Sequence, residues 1–112
     1  MRKLSLDAIA REQLARARQG PGRAAETVCG GHEAALRQTV IAMTAGTTMQ
    51  EHESPGEATL HVLRGRVTLR SGEDSWEGRA GDLLLIPAAK HSLCAPEDAA
   101  VLLTVVKAIR PD

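Results

Sequence analysis

The fold is decided by the stretch Gly46-Thr47-Thr48-Met49-Gln50-Glu51-His52 and by its counterpart Gly81-Asp82-Leu83-Leu84-Leu85-Ile86-Pro87-Ala88-Ala89-Lys90-His91. Each stretch begins at a glycine that suits a turn and ends at a histidine after a strand-like run. The two histidines lie in separate segments, so a β-fold that brings these segments side by side would also bring His52 and His91 together.

Short runs rich in Val, Ile, Leu and Thr fill most of the chain after residue 25, and turn residues separate them, as at Gly30-Gly31, Ser71-Gly72 and Pro96. Strands at such spacing, without helices between them, predict an all-β sandwich or barrel. The predicted strands cover residues 26–29, 36–43, 59–63, 66–70, 75–77, 83–86, 91–94 and 101–106.

One helix is predicted before the strands. Ser5 suits its N-cap, and a stripe of apolar residues follows on one face until Gly20-Pro21-Gly22 ends it. The stripe consists of Leu6, Ile9, Ala10, Leu14 and Ala17. The chain therefore divides into residues 1–22, an amphipathic helix with its turn, and residues 23–112, the barrel.

Composition excludes several functions. The 112 residues form one domain with 14 basic and 14 acidic side chains, so no net charge attracts a polyanion. Trp76 is the single aromatic residue, which disfavours stacking on single-stranded nucleic acid. No apolar run approaches the ~18 residues of a membrane span, and the N-terminus lacks a signal-peptide core. We therefore expect a cytoplasmic protein with no nucleic-acid or membrane partner.

The first stretch resembles the first motif of the cupins, which are small double-stranded β-helices, or jelly-roll barrels, that usually hold a divalent metal at the mouth. Gly46, His52 and Gly65 fall in register with that motif. Ser54 stands where its second histidine belongs, and Ala58 stands where its glutamate belongs. The usual ligand set is therefore reduced by half.

The second stretch resembles the second cupin motif. Gly81 and Pro87 match it, Ala89 replaces a glycine, and His91 comes one residue early. The resemblance extends over residues 36–106. The chain is similar to a subgroup of small bacterial cupins described as uncharacterised. It implies a jelly-roll fold of the RmlC-like type.

Strand alternation places Gln50, His52 and Ser54 on one side of an extended segment, and the resemblance makes that side the barrel interior. The resemblance makes His52 and His91 the leading metal-ligand candidates, because neutral imidazole suits Zn, Fe, Mn and Ni. A stable transition-metal site normally has three or more protein ligands, so Glu57 or Gln50 would have to contribute a further ligand. The alternative is that both histidines are polar residues at the mouth, hydrogen-bonded to backbone or solvent.

The remaining histidines and cysteines are given no ligand role. Alternation turns His61 outward if Ala58 faces inward, and His32 follows a glycine turn. Cys94 should face away from His91. Cys29 and Cys94 lack zinc spacing and are expected to stay reduced.

Three functions remain open at this point. The first is a small-molecule-binding barrel, with Gln50 and Ser54 at the mouth and walls that include Leu60, Val62, Leu84, Ile86 and Leu93. The second is a metal-dependent cupin enzyme of the dioxygenase or isomerase type. The third is an accessory protein without a ligand. Apolar residues on both faces of the strands, as in Val40-Ile41 and Val101-Leu102-Leu103, together with the resemblance, predict a homodimer.

Overall fold

The computed structural model describes residues 1–52 and 56–107, and of residues 51 and 52 the backbone alone. These residues form one helix and nine strands; eight of the strands overlap those predicted from the sequence, and the ninth covers residues 48–52. The elements are α1 (Leu6–Gln19), β1 (Arg23–Cys29), β2 (Leu36–Met43), β3 (Thr48–His52), β4 (Gly56–Arg64), β5 (Arg66–Ser71), β6 (Asp74–Arg79), β7 (Leu83–Ile86), β8 (His91–Cys94) and β9 (Ala99–Lys107).

The strands form two antiparallel sheets. The larger has the order β1-β2-β9-β4-β7 and the smaller has the order β3-β8-β5-β6. Strands that follow one another in sequence often lie in different sheets, as β3, β4 and β5 do, so the chain winds back and forth between the sheets. This arrangement confirms the predicted all-β jelly roll with one N-terminal helix.

The main core lies between the two sheets and is aliphatic. Alternate residues of each strand point inward, and the buried set consists of Ile41, Met43, Leu60, Val62, Val67, Leu69, Leu93, Ala95, Ala99 and Val101. The only aromatic side chain, Trp76, is exposed on the edge strand β6. The barrel is therefore filled by branched aliphatic side chains and methionine.

Helix α1 covers part of the outer face of the larger sheet. Ser5 caps it, with its hydroxyl accepting a hydrogen bond from the Ala8 N–H. A second cluster, made mainly of alanines, joins the helix to the sheet and consists of Ala10, Leu14, Ala17, Ala42 and Ala100. Gln13 is also buried there and donates to the Glu26 carboxylate at 3.2 Å. No helix in the described part of the chain is long and apolar enough to cross a membrane.

The turn at Gly65 joins the two sheets and accepts only glycine. Its φ is +70°, in the left-handed region that residues with a Cβ avoid. A Cβ there would also overlap the backbone carbonyl oxygen of Asp98. Glycine is therefore required at residue 65 for two physical reasons, its backbone conformation and the close approach of Asp98.

Asp98 ties three segments together near this turn. Its carboxylate accepts hydrogen bonds from the Ala45 N–H at 2.8 Å and from the Arg18 guanidinium at 2.9 Å. The backbone N–H of Ala45, and then Arg18, lower the pKa of Asp98 below its ordinary value. The Asp98 carboxylate, in the loop before β9, thus connects that loop to the loop after β2 and to the last turn of α1.

We predict that Leu60→Ala and Val62→Ala destabilise the protein by about 2–5 kcal/mol, because both truncate buried side chains of the core. His61→Ala should cost much less, on the order of 0.5 kcal/mol, because His61 is half-buried on the side of β4 opposite to the core. Chemical denaturation followed by circular dichroism measures all three. Equal losses for His61→Ala and Leu60→Ala would show that the two residues do not face opposite sides of β4.

Asp98 should make stability depend on pH. Because its pKa is lower in the folded state, its contribution is fully present above the ordinary carboxyl pKa of about 3.9 and is lost as the pH falls through the folded value. Asp98→Asn should therefore lower the melting temperature at pH 7 and much less at pH 3. The neighbouring exposed Glu97→Gln is the control. A pH-independent deficit in Asp98→Asn would contradict this assignment.

Candidate functional site

A small cavity of about 30 Å³ lies between the two sheets. Of the eight described residues that line it, seven are apolar and the eighth is His91. The larger sheet contributes Ile41, Leu60, Ile86 and Leu103, and the smaller sheet contributes Met49, Leu69, His91 and Leu93. A cavity needs roughly 10–15 Å³ to hold one water molecule, so this one has room for about two water-sized groups.

His91 is the polar group of this cavity. Its side chain is 3% exposed, and its Nδ1 lies 3.0 Å from the carbonyl oxygen of Ala89. A carbonyl only accepts, so Nδ1 carries the proton in this bond, and neutral His91 presents Nε2 as an acceptor. The ring is therefore held in one tautomer and orientation by a backbone group two residues away.

His52 lies directly opposite His91 on the neighbouring strand. The two residues are Cα partners in the antiparallel pair of β3 and β8. Residues opposite each other in such a pair have Cα atoms about 4.5–5.5 Å apart. The backbone thus brings the two sequence-predicted histidines together, at the place where β3 ends and β8 begins.

A register shift between Met49 and His52 changes which residues of β3 face inward. Met49 pairs with Leu93 and packs against the main core, whereas Gln50 is exposed. Met49 therefore faces the core, and the alternation that placed Gln50, His52 and Ser54 on the inner side does not hold along the whole of β3. Strict alternation fails here because the shift adds one residue to β3 relative to β8.

The other proposed ligands lie elsewhere. Glu57 is exposed on β4, where alternation places it on the face opposite to the buried Leu60 and Val62. It is paired with Val106 across the sheet. Ser54 lies outside the described residues. The structure therefore does not bring Glu57 next to His91, and a shared metal ion would need its third ligand from another source.

Only some of the residues predicted to form the barrel wall line the cavity. Leu60 and Leu93 line the cavity, as does Ile86, whereas Val62 is buried in the main core without lining it. Leu84 packs against that core. The sequence alone did not identify Ile41, Leu69 and Leu103 as cavity residues. Alternation shows which residues of one strand point inward, but strand register determines which inward residues of different strands lie next to each other.

No group of three or more His, Cys, Asp and Glu side chains is arranged to hold a metal ion within the part of the chain that the structure describes. Cys94 is half-buried on β8, and alternation turns it away from the inward-facing His91 and Leu93. The described side chains supply His91 as the one nitrogen ligand at the cavity. They do not by themselves form the three-ligand set of a firm transition-metal site.

Comparison with known proteins agrees with this architecture. The family model described as "Cupin domain" matches residues 39–107, which is more than half of the chain. That segment contains His52, His91 and the eight described residues that line the cavity. None of the curated proteins matches the chain.

Solved structures with the same fold include proteins of different kinds. A conserved protein of unknown function from Streptococcus pyogenes is 27% identical, with a TM-score of 0.71, and the match covers 79% of this chain and 76% of that one. A cupin superfamily protein from Desulfitobacterium hafniense is 15% identical, with a TM-score of 0.70 and coverages of 77% and 78%.

Salicylate 1,2-dioxygenase from Pseudaminobacter salicylatoxidans has a TM-score of 0.73 at 20% identity. The match covers 89% of this chain but 32% of the dioxygenase chain. The present chain therefore spans about a third of that enzyme, and the likeness concerns the fold.

Proposed function

This chain belongs to the cupin family, and we propose that it binds a small organic molecule, a part of which enters the cavity beside His91. The observation that supports this proposal is the composition of the cavity wall, with seven apolar side chains around a single histidine. Apolar walls with few polar groups are typical of ligand pockets. In this arrangement Nε2 of His91 accepts a hydrogen bond from the ligand.

The size of the cavity limits what can enter. Pockets for drug-sized ligands have volumes of roughly 300–1,000 Å³, whereas this cavity has about 30 Å³. Only a small group of the ligand, such as a hydroxyl with one or two carbons, fits beside His91. A small hydroxylated compound matches both the volume and the acceptor on the ring.

Isopropanol serves as a probe of this proposal because its hydroxyl donates a hydrogen bond and, together with the central carbon and one methyl group, has the size that fits the cavity. Titration with isopropanol should shift the NMR methyl signals of Ile41, Leu60 and Leu93, because these side chains line the cavity. His91→Phe keeps an aromatic ring but removes the acceptor, so the apparent affinity should fall by about tenfold or more, as expected for the loss of about 1.4 kcal/mol.

The matched control is His61→Phe, which changes the same residue type on the opposite face of β4. It should leave the isopropanol shifts of the three methyl signals unchanged. Shifts confined to residues outside the cavity, or an unchanged response in His91→Phe, would contradict binding at this place.

A divalent metal held by His52 and His91 is a second candidate, and it is supported by their direct opposition across β3 and β8. The bond from Nδ1 of His91 to Ala89 also supports it, because metal-binding histidines commonly donate their other ring N–H to a carbonyl. A metal here could polarise an oxygen of the bound molecule. With that metal the protein could act as an enzyme of the dioxygenase or isomerase type.

Zn²⁺, Mn²⁺, Fe²⁺ or Ni²⁺ at a hundredfold its dissociation constant should stabilise the fold by about 2.7 kcal/mol if this site binds it. Thermal denaturation of the purified protein with and without each ion measures the effect. The stabilisation should disappear in both His52→Ala and His91→Ala, and it should persist in His32→Ala, which alters an exposed histidine in a loop. Stabilisation that survives in His91→Ala would place the ion elsewhere.

A further inference from the structure

The inner side of β2 carries an arginine near the start of the strand. Ile41 lines the cavity, so Thr39 and Arg37, two and four positions before it, share its inward side. The pairing of β2 with β9 runs from Leu36 to Met43 without a register shift. The alternation that places Arg37 on the inner side therefore holds along the whole strand.

Strand register places Arg37 in the same inner row as a cavity residue. The paired residues of this row, across β2, β9, β4 and β7, are Arg37, Val105, Ala58 and Ile86. Ile86 lines the cavity, and so does His91, the first residue of β8 in the smaller sheet. Arg37 and His91 therefore lie at the same end of the barrel, on opposite sheets.

One small molecule can extend from the cavity to the level of Arg37. Leu60 and Leu103 line the cavity and pair with each other in the next inner row of the larger sheet. Neighbouring inner rows are two residues apart, which is about 7 Å along a strand. A ligand that begins between Leu60 and Leu103 and extends about 7 Å towards the start of β2 ends level with Arg37.

Arg37 differs from the other half-buried arginines of the described chain because it has no counter-ion. Arg64 is paired with Asp7 at 2.6 Å, and Arg66 lies 3.6 Å from the Glu77 carboxylate. Among the side chains that the structure describes, no carboxylate lies within 4 Å of Arg37. A guanidinium that is partly removed from water is stabilised by an anionic partner. The position of Arg37 therefore favours an anion from outside the chain.

Lys107 adds a second positive charge on this side of the barrel. It lies on β9 two residues beyond Val105, and its Nζ donates to the carbonyl oxygens of His32 at 3.1 Å and Gly31 at 3.4 Å. These carbonyls orient the ammonium without neutralising it. On β1, β2, β9 and the described β4, no inward-facing residue is acidic, since Glu57 points to the outer side. The field at this end of the larger sheet favours negative charge.

We infer that the ligand of this barrel is a short hydroxy acid whose carboxylate binds Arg37 while its hydroxyl end enters the cavity beside His91. This inference rests on the function proposed above and names the chemical class of the ligand. A guanidinium binds a carboxylate through two parallel N–H···O bonds. The apolar wall between the two polar groups accepts the carbon chain, and the spacing of the rows sets its length at about 7 Å.

The test compares 5-hydroxypentanoate with its neutral amide, 5-hydroxypentanamide, at pH 7. The two probes share their length and their hydroxyl group, and only the acid is charged. Both should shift the NMR methyl signals of Ile41, Leu60 and Leu93, which line the cavity. The acid should bind at least about fivefold more tightly, because only its carboxylate pairs with the guanidinium. Added NaCl should reduce this preference by screening the ion pair.

Three variants assign the preference to Arg37. Arg37→Gln should abolish it, because the charge is lost, and Arg37→Lys should retain part of it, because the charge is kept without the two-pronged geometry. Arg70→Gln is the matched control, since Arg70 is exposed on β5 and alternation places it on the side opposite to the buried Leu69. This control should keep the full preference. Circular dichroism verifies that each variant is folded.

The outcomes separate this inference from the proposed function. Equal affinities of the acid and the amide in the wild type, with cavity methyl shifts from both, would overturn the inference and leave the proposed function standing. A preference that persists in folded Arg37→Gln would overturn it too, because another cation would then hold the carboxylate. If neither these probes nor isopropanol shift the cavity methyl signals, the proposed function fails and the carboxylate assignment fails with it.

Discussion

The structure depends on one packing constraint, which is that two sheets must fill the space between them with aliphatic side chains alone. Buried Val, Leu, Ile and Met residues from both sheets meet there, and the sole aromatic residue lies outside. Because protein interiors pack at high density, side chains of this size leave little unfilled volume. The cavity beside His91 is unfilled volume of this kind, and its small size follows from the packing.

The same constraint determines the chemistry of the site. A buried imidazole needs hydrogen-bond partners, and His91 obtains one from the Ala89 carbonyl on its own chain. That bond makes Nε2 the acceptor in the neutral ring. In the two proposed functions a ligand hydroxyl or a metal ion would take this same nitrogen, and only the metal would also need His52.

Much of the fold could be predicted from the sequence because turn residues and short aliphatic runs mark strands directly. The residues of Leu36–Met43, Leu83–Ile86 and His91–Cys94 were predicted as strands with these boundaries. The opposition of His52 and His91 could be anticipated as well, since each follows a glycine turn and a strand-like run. The interior position of Met49 could not, because the register shift that causes it depends on how β3 pairs with β8.

The position of Trp76 has a consequence for how unfolding of this protein can be observed. Trp76 is the only strong intrinsic fluorophore in a chain that lacks tyrosine and phenylalanine, and it is 46% exposed on an edge strand. About half of this residue is already in contact with water in the native state. Loss of the core will therefore change the fluorescence less than it would for a buried tryptophan, and the far-ultraviolet signal of the strands is the spectroscopic measure that follows the whole fold.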